Sequence, residues 1–297
     1  MPEGRLRELS DRDGTLKLST GRTLSFRRHG DLDGVPVFYF HGFPGSRLEA
    51  GFVPLKGLRL IAVERPGYGL SDPLPRRTLA RWPGDIAELA DHLGFERFSV
   101  LGVSGGAPYA AACAWALPER VSSAALVCGI GPPQAPGMDD GRMPDLLRFG
   151  RQPWLSPIVA IARWLMLDPR AEPRYLAMRE KYLTERYGGV SKERAAISPE
   201  FLRHMLANWR EALRRSLGGL FSDARIYGEP WPFDLAAIRV PVHVWHGEDD
   251  HVVPVAVGRH YADHIPGVRA RILPGEGHFS VIFNSLPDIV EALLGHR

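Results

Sequence analysis

The chain has 297 residues, of which 44% are hydrophobic and 24% charged, with a formal net charge of +3. That much apolar side chain excludes a disordered chain, and the length suits one α/β domain with a sizeable insertion. The basic excess comes from scattered arginines, with no basic stripe interleaved with aromatics, which argues against nucleic-acid binding.

The longest apolar segment, Leu155 to Leu167, is too short for a spanning helix and contains Arg163, and Met1 to Asp13 lack an apolar signal-like stretch. A soluble, cytoplasmic protein without membrane contact is expected. Cys113 and Cys128 lie in apolar settings and are expected as buried free thiols, not as a disulfide or a metal knuckle.

In chain order, Thr15-Leu16-Lys17-Leu18 and Arg22-Thr23-Leu24-Ser25-Phe26 alternate about Ser19-Thr20-Gly21, the pattern of a hairpin at a sheet edge. Val35 to Phe40 and Leu58 to Val63 are nearly continuous apolar runs, as in strands covered on both faces. They lead into His41-Gly42-Phe43-Pro44-Gly45 and Glu64-Arg65-Pro66-Gly67-Tyr68-Gly69. Ile86, Leu89, Ala90 and Leu93 recur at helical spacing and predict a helix over 78–93. The run Phe98-Ser99-Val100-Leu101, the alanine-rich stretch 107–117 and the run Ala124-Ala125-Leu126-Val127 continue as strand, helix and strand. Such alternation signals a parallel sheet with helical crossovers.

After Gly131, the breakers Pro132, Pro133, Pro136 and Gly137 end the pattern, and 140–232 show helical periodicity without a convincing strand. Helices are expected over 143–149, 154–167, 172–187 and 198–217. The alternation then resumes with the strand Val240 to His246, a helix over 254–264, the strand Ala270 to Leu273 and a last amphipathic helix from about 281. The block 132–232 is therefore expected to be a helical cap inserted over the sheet's carboxyl edge, with 1–131 and 233–297 forming the core.

Between a strand and a helix stands Gly102-Val103-Ser104-Gly105-Gly106. In a G-x-S-x-G at this place, the glycines let strand and helix close on each other. The serine comes to rest at a helix N-terminus, where free N–H groups can face a developing oxyanion. Alone, the pentapeptide is also compatible with a Gly-rich packing turn. Three more segments form polar or glycine-rich loops at strand carboxyl ends, where ligands collect in parallel sheets: His41 to Gly45, Gly247 to Pro254, and Gly275-Glu276-Gly277-His278.

Serine, acid and histidine in this order resemble the α/β-hydrolase superfamily. The resemblance implies an α/β-hydrolase fold, a mostly parallel central sheet flanked by helices, with an inserted helical cap. It makes Ser104 the nucleophile, His278 the general base and then acid, and Asp250 the group that orients the imidazole. Glu248, Asp249 and Asp250 are all acidic, and the spacing G-x-x-D-x-x-V-P through Gly247, Asp250, Val253 and Pro254 favours Asp250, with Asp249 as fallback. The backbone amides of Phe43 and Gly105 would form the oxyanion hole. His41 takes a structural role, the Arg65 to Gly69 turn a supporting one, and His260 and His264 read as ordinary helix residues. Tyr109, Trp154 and Trp231 are expected to line an apolar substrate pocket.

The activity implied is hydrolysis of a small or medium carboxylic ester, thioester or lactone through an acyl-serine, with no cofactor or metal. The same triad also serves carbon–carbon bond hydrolases, cofactor-free perhydrolases or haloperoxidases, and proline-type aminopeptidases. The loop of the last usually carries a second glycine where Phe43 stands. A small-molecule receptor with little turnover is the reading of another class. Haloalkane dehalogenases and epoxide hydrolases use an aspartate at the position of Ser104, which argues against alkyl-enzyme chemistry.

Overall fold

The apolar runs of the sequence become the middle of one sheet. The structure is a computed structural model, and it describes residues 13–52, 57–138, 156–187 and 190–295. The strands are β1 (Asp13–Lys17), β2 (Thr23–Gly30), β3 (Val35–Phe40), β4 (Leu58–Val63), β5 (Phe98–Val103), β6 (Val121–Val127), β7 (Val242–Gly247) and β8 (Arg269–Leu273). They form an eight-stranded sheet in the order β1-β2-β4-β3-β5-β6-β7-β8. The β1–β2 hairpin and the β2–β4 pair are antiparallel, and the remaining pairs are parallel.

Strand side chains alternate between faces. Phe38, Phe40, Ile61, Val63, Val100 and Leu126 join one buried cluster. Val37, Tyr39, Leu60, Ala62, Leu101 and Val127 join another. Helices α1 (Trp82–His92), α2 (Ala107–Ala116) and α8 (Val255–His264) cover the first face with Ile86, Leu89, Ala110 and Val257. The second face is covered by α9 (His278–Asn284) and α10 (Leu286–Leu294) through Val281, Ile289 and Leu293. This two-sided cover explains why β3 to β7 read as continuous apolar runs.

Between β6 and β7 the described residues form helices only: α3 (Ser156–Leu167), α4 (Glu172–Tyr187), α5 (Ser191–Ala196), α6 (Pro199–Ala212) and α7 (Gly218–Tyr227), with short 3₁₀ turns. The expected helix over 143–149 lies outside the described residues. The single helix expected over 198–217 is instead two. Ser198 caps α6 by accepting from the Phe201 N–H at 3.1 Å. Its far end is stopped by tertiary partners, because Gly69 N–H takes the Ala212 carbonyl at 3.0 Å and Arg163 takes those of Leu213 and Arg214. The helix over 78–93 opens with a 3₁₀ turn, Leu79–Arg81.

The last helix also differs from expectation. It starts at His278 and is broken at Ser285, where Pro287 cannot continue the i to i−4 ladder. Cys113 and Cys128 are buried free thiols. Among the described residues, no helix is long and apolar enough to cross a membrane.

The strand order changes direction around β3: the chain steps from β3 to β4 on one side and returns to place β5 on the other. Loops at the carboxyl ends of strands beside such a switch point leave a crevice. The loops after β3 and β5, which hold Phe43 and Ser104, meet at this switch point, where a Cβ on Gly42 would lie 3.7 Å from Ser104 Cβ.

Candidate active site

Ser104 sits at φ 51°, the left-handed region that a side-chain-bearing residue rarely adopts. The bend that imposes this value is tight, since a Cβ on Gly102 would lie 2.5 Å from the Gly106 carbonyl oxygen and 2.7 Å from the Ala107 Cα. Ser104–Gly106 is a 3₁₀ turn that runs into α2, so Ser104 stands at a helix start, where the first N–H groups have no intrahelical acceptor.

Asp250 follows β7 and is buried, whereas Glu248 and Asp249 are exposed. Its Oδ1 accepts from the N–H groups of Val252 at 2.7 Å and Val253 at 2.8 Å. That leaves Oδ2 to accept from His278 Nδ1 at 2.8 Å. Of the three acidic candidates, Asp250 is the one whose carboxylate bonds His278 among the described contacts. Among the described residues, hydrogen bonding joins His278 to Asp250 but not to Ser104. Serine–histidine bonds of this kind commonly close only with substrate bound.

Burial by itself pushes the His278 imidazole towards the neutral form, but Asp250, Glu193 and Glu49 together raise its pKa above the ordinary histidine value. Burial disfavours the Asp250 anion, and the His278, His246 and Val253 contacts outweigh it and hold the carboxylate below its usual range.

The amides of Phe43 and Gly105 come together as well. A Cβ on Gly105 would lie 2.7 Å from Phe43 Cβ and 3.2 Å from the Phe43 nitrogen. The Phe43 ring meets the Tyr227 ring edge-on at 5.3 Å. His41 is fully buried, its ring bonded to the Gly42 carbonyl at 2.9 Å and to the Arg65 N–H at 3.3 Å.

Two acids around this loop, Glu49 and Asp223, carry no signal in the sequence. Glu49 accepts from the Gly42 N–H at 2.6 Å, the Tyr39 hydroxyl at 2.9 Å and Asn208 Nδ2 at 3.1 Å, and burial raises its pKa. Arg65 donates to the carbonyls of His41 and Gly42, and its Nε donates to Asp223 Oδ2 at 3.0 Å. Asp223, on α7, also accepts from Arg77 at 2.6 Å, Tyr68 at 2.8 Å and Tyr109 at 2.5 Å. Burial opposes its anion, but two guanidinium groups and two hydroxyls hold its pKa down at about 2.

Of the residues expected to line a pocket, Tyr109 is 1% exposed with its hydroxyl engaged by Asp223, and Trp231 packs on Phe233 and Tyr261. Tyr109 lies within the buried core, Trp231 is half-buried against it, and Trp154 lies outside the described residues. Among the described residues, one group of three brings possible metal donors together: Cys128, Asp250 and His278, whose donor atoms lie within 4.8 Å of one another. Burial raises the Cys128 pKa and keeps the thiol protonated, while Asp250 and His278 already bond each other, so this donor set suits proton transfer better than a metal ion.

The family model of the alpha/beta hydrolase fold matches residues 35–285. The chain belongs to this family. A non-heme chloroperoxidase of Streptomyces lividans is 29% identical over 250 residues, covering 82% of this chain and 84% of that protein. A 2-hydroxymuconate semialdehyde hydrolase of Pseudomonas putida is 26% identical over 265 residues, covering 86% and 84%. Among solved structures, an esterase from a Rhodococcus species superposes with a TM-score of 0.60 at 22% identity, covering 94% of this chain and 98% of that one.

Proposed function

We propose that the chain is a serine hydrolase acting on small or medium carboxylic esters, thioesters or lactones through an acyl-Ser104 intermediate, with 132–232 as a cap over the site. One observation carries this reading. The strained Ser104, at the end of β5, shares the sheet's carboxyl edge with the hydrogen-bonded His278–Asp250 pair that follows β8 and β7.

In this mechanism Ser104 Oγ attacks the substrate carbonyl while its proton passes to His278 Nε2. Asp250 holds the opposite ring nitrogen and stabilises the imidazolium. The tetrahedral oxyanion faces the Phe43 and Gly105 amides, each worth about 3 kcal/mol of transition-state stabilisation. Collapse breaks the bond to the leaving alcohol, which takes the proton from His278. Water then repeats the sequence on the acyl-enzyme and frees the acid and Ser104.

Turnover of p-nitrophenyl esters from acetate to octanoate tests the proposal. The expected result is hydrolysis of the short and medium esters, lost by about 10⁶-fold in Ser104→Ala. Equal turnover by the variant contradicts it.

The likeness to the chloroperoxidase favours a second reading, perhydrolysis, in which hydrogen peroxide replaces water as acyl acceptor. Peroxide-dependent bromination of monochlorodimedone in the presence of bromide and a carboxylic acid, absent in Ser104→Ala, supports that reading over plain hydrolysis, because the peracid formed oxidises bromide to hypobromite. The likeness to the semialdehyde hydrolase favours carbon–carbon cleavage, which comparison of a vinylogous diketone with the ester panel separates.

A further inference from the structure

The helix that begins with His278 is capped from outside the sheet. The first N–H groups of a helix have no intrahelical acceptor. In α9 those of Phe279 and Ser280 go to the carboxylate of Glu193, on the 6-residue helix α5. The Phe279 N–H lies 3.0 Å from both Oε1 and Oε2, and the Ser280 N–H donates to Oε2 at 2.8 Å. Glu193 is 0% exposed. Its approach requires Gly277, because a Cβ there would lie 2.6 Å from Glu193 Oε2 and 2.7 Å from its Cδ. The neighbouring Lys192 Nζ lies 2.8 Å from Glu276 Oε1, two residues before the histidine. The segment 192–193 thus grips the chain on both sides of His278 across 86 residues of sequence.

We propose that Glu193 is a positioning residue for His278, through which the helical insertion holds the imidazole in register with Ser104. This rests on the reading of His278 as general base. The carboxylate acts twice. By fixing the first turn of α9 it fixes the backbone from which the imidazole projects, and by its charge it stabilises the imidazolium formed in the reaction. The other groups facing His278 are Asp250 from the loop after β7, Glu49 from the turn after β3, His246 of β7 and the Cys128 thiol at the end of β6. Asp250 and Glu49 add to the effect of Glu193, and His246 opposes it when protonated.

The test compares wild type, Glu193→Gln and Glu193→Asp with p-nitrophenyl butyrate across pH, with Ser104→Ala and His278→Ala as reference arms and thermal unfolding measured in parallel. In Glu193→Gln the acidic limb of kcat/KM is expected to move down by about half a pH unit, because one facing charge is gone. Its plateau kcat is expected to fall about tenfold with KM within about twofold. Glu193→Asp keeps the charge but withdraws the carboxylate, so its limb stays at the wild-type position while kcat falls. Should Glu193→Gln not fold, the Glu193→Asp arm decides alone: a wild-type kcat there overturns the proposal. An unmoved limb in a folded Glu193→Gln, or a kcat loss accounted for by unfolded protein, overturns it too. Undiminished turnover in Ser104→Ala or His278→Ala overturns the underlying hydrolase reading, a result distinct from silent Glu193 variants beside inactive reference arms.

Discussion

Tyr227, the last residue of α7, donates its hydroxyl to the backbone carbonyl of Gly105 across 2.7 Å. The residue after the strained Ser104 is therefore tied to the last helix of the insertion before β7. Phe43, the other proposed amide donor, packs its ring on the same tyrosine. One side chain thus braces both halves of the proposed oxyanion hole.

Tyr227→Phe keeps the ring contact and removes the hydrogen bond. The expected stability loss is about 1 kcal/mol, the net worth of one buried bond. A larger proportional fall is expected in kcat than in substrate affinity, because the donors serve the transition state. Denaturant unfolding and steady-state kinetics on the same variant check both effects.

Asp223 is the sole carboxylate bonded to both Arg65 and Arg77 among the described contacts, and all three side chains are buried. Asp223→Ala leaves two buried guanidinium groups without their counter-charge, and the expected cost is about 3–5 kcal/mol, read as a fall in Tm. The pKa of this aspartate lies below its unfolded value, at about 2. Its contribution is then fully present above the unfolded aspartate pKa and is lost as pH falls towards 2, roughly 2 kcal/mol in all. Acid unfolding of wild type monitored by circular dichroism should show this loss below about pH 4.

The proposed base sets the pH dependence of turnover. Catalysis needs neutral His278, whose pKa is raised by the carboxylates that face it. Ester kcat/KM is expected to climb with pH to a midpoint above the ordinary histidine value of about 6.5 and to level off on the alkaline side. A midpoint below that value contradicts the electrostatic account of the site.

The sheet was legible because burial on both faces writes itself into local sequence: Val35 to Phe40 and Leu58 to Val63 need no distant information to be read as covered strands. The turn Gly102 to Gly106 was legible for a similar reason, since the steric demand on Gly102 comes largely from Gly106 within the same pentapeptide. The helical insertion was legible in part: the helices expected over 154–167 and 172–187 are α3 and α4, but where other helices stop and start was not. The end of α6 is set by Gly69 and Arg163, and the early start of α9 is set by Glu193, partners that no local periodicity reports. Asp223 looked like any polar helix residue until Arg65, 158 positions away, was placed against it. Tyr109 was read as a pocket residue by its chemistry, and its hydroxyl is instead held by that same aspartate.

The central claim is that Ser104 is a nucleophile activated by His278. A fluorophosphonate probe applied to the folded protein, followed by digestion and peptide mass spectrometry, tests it most directly. The account predicts one adduct, on the peptide containing Ser104, formed by wild type and strongly slowed in His278→Ala. Folded protein that takes no label, or takes it on another residue, would contradict it.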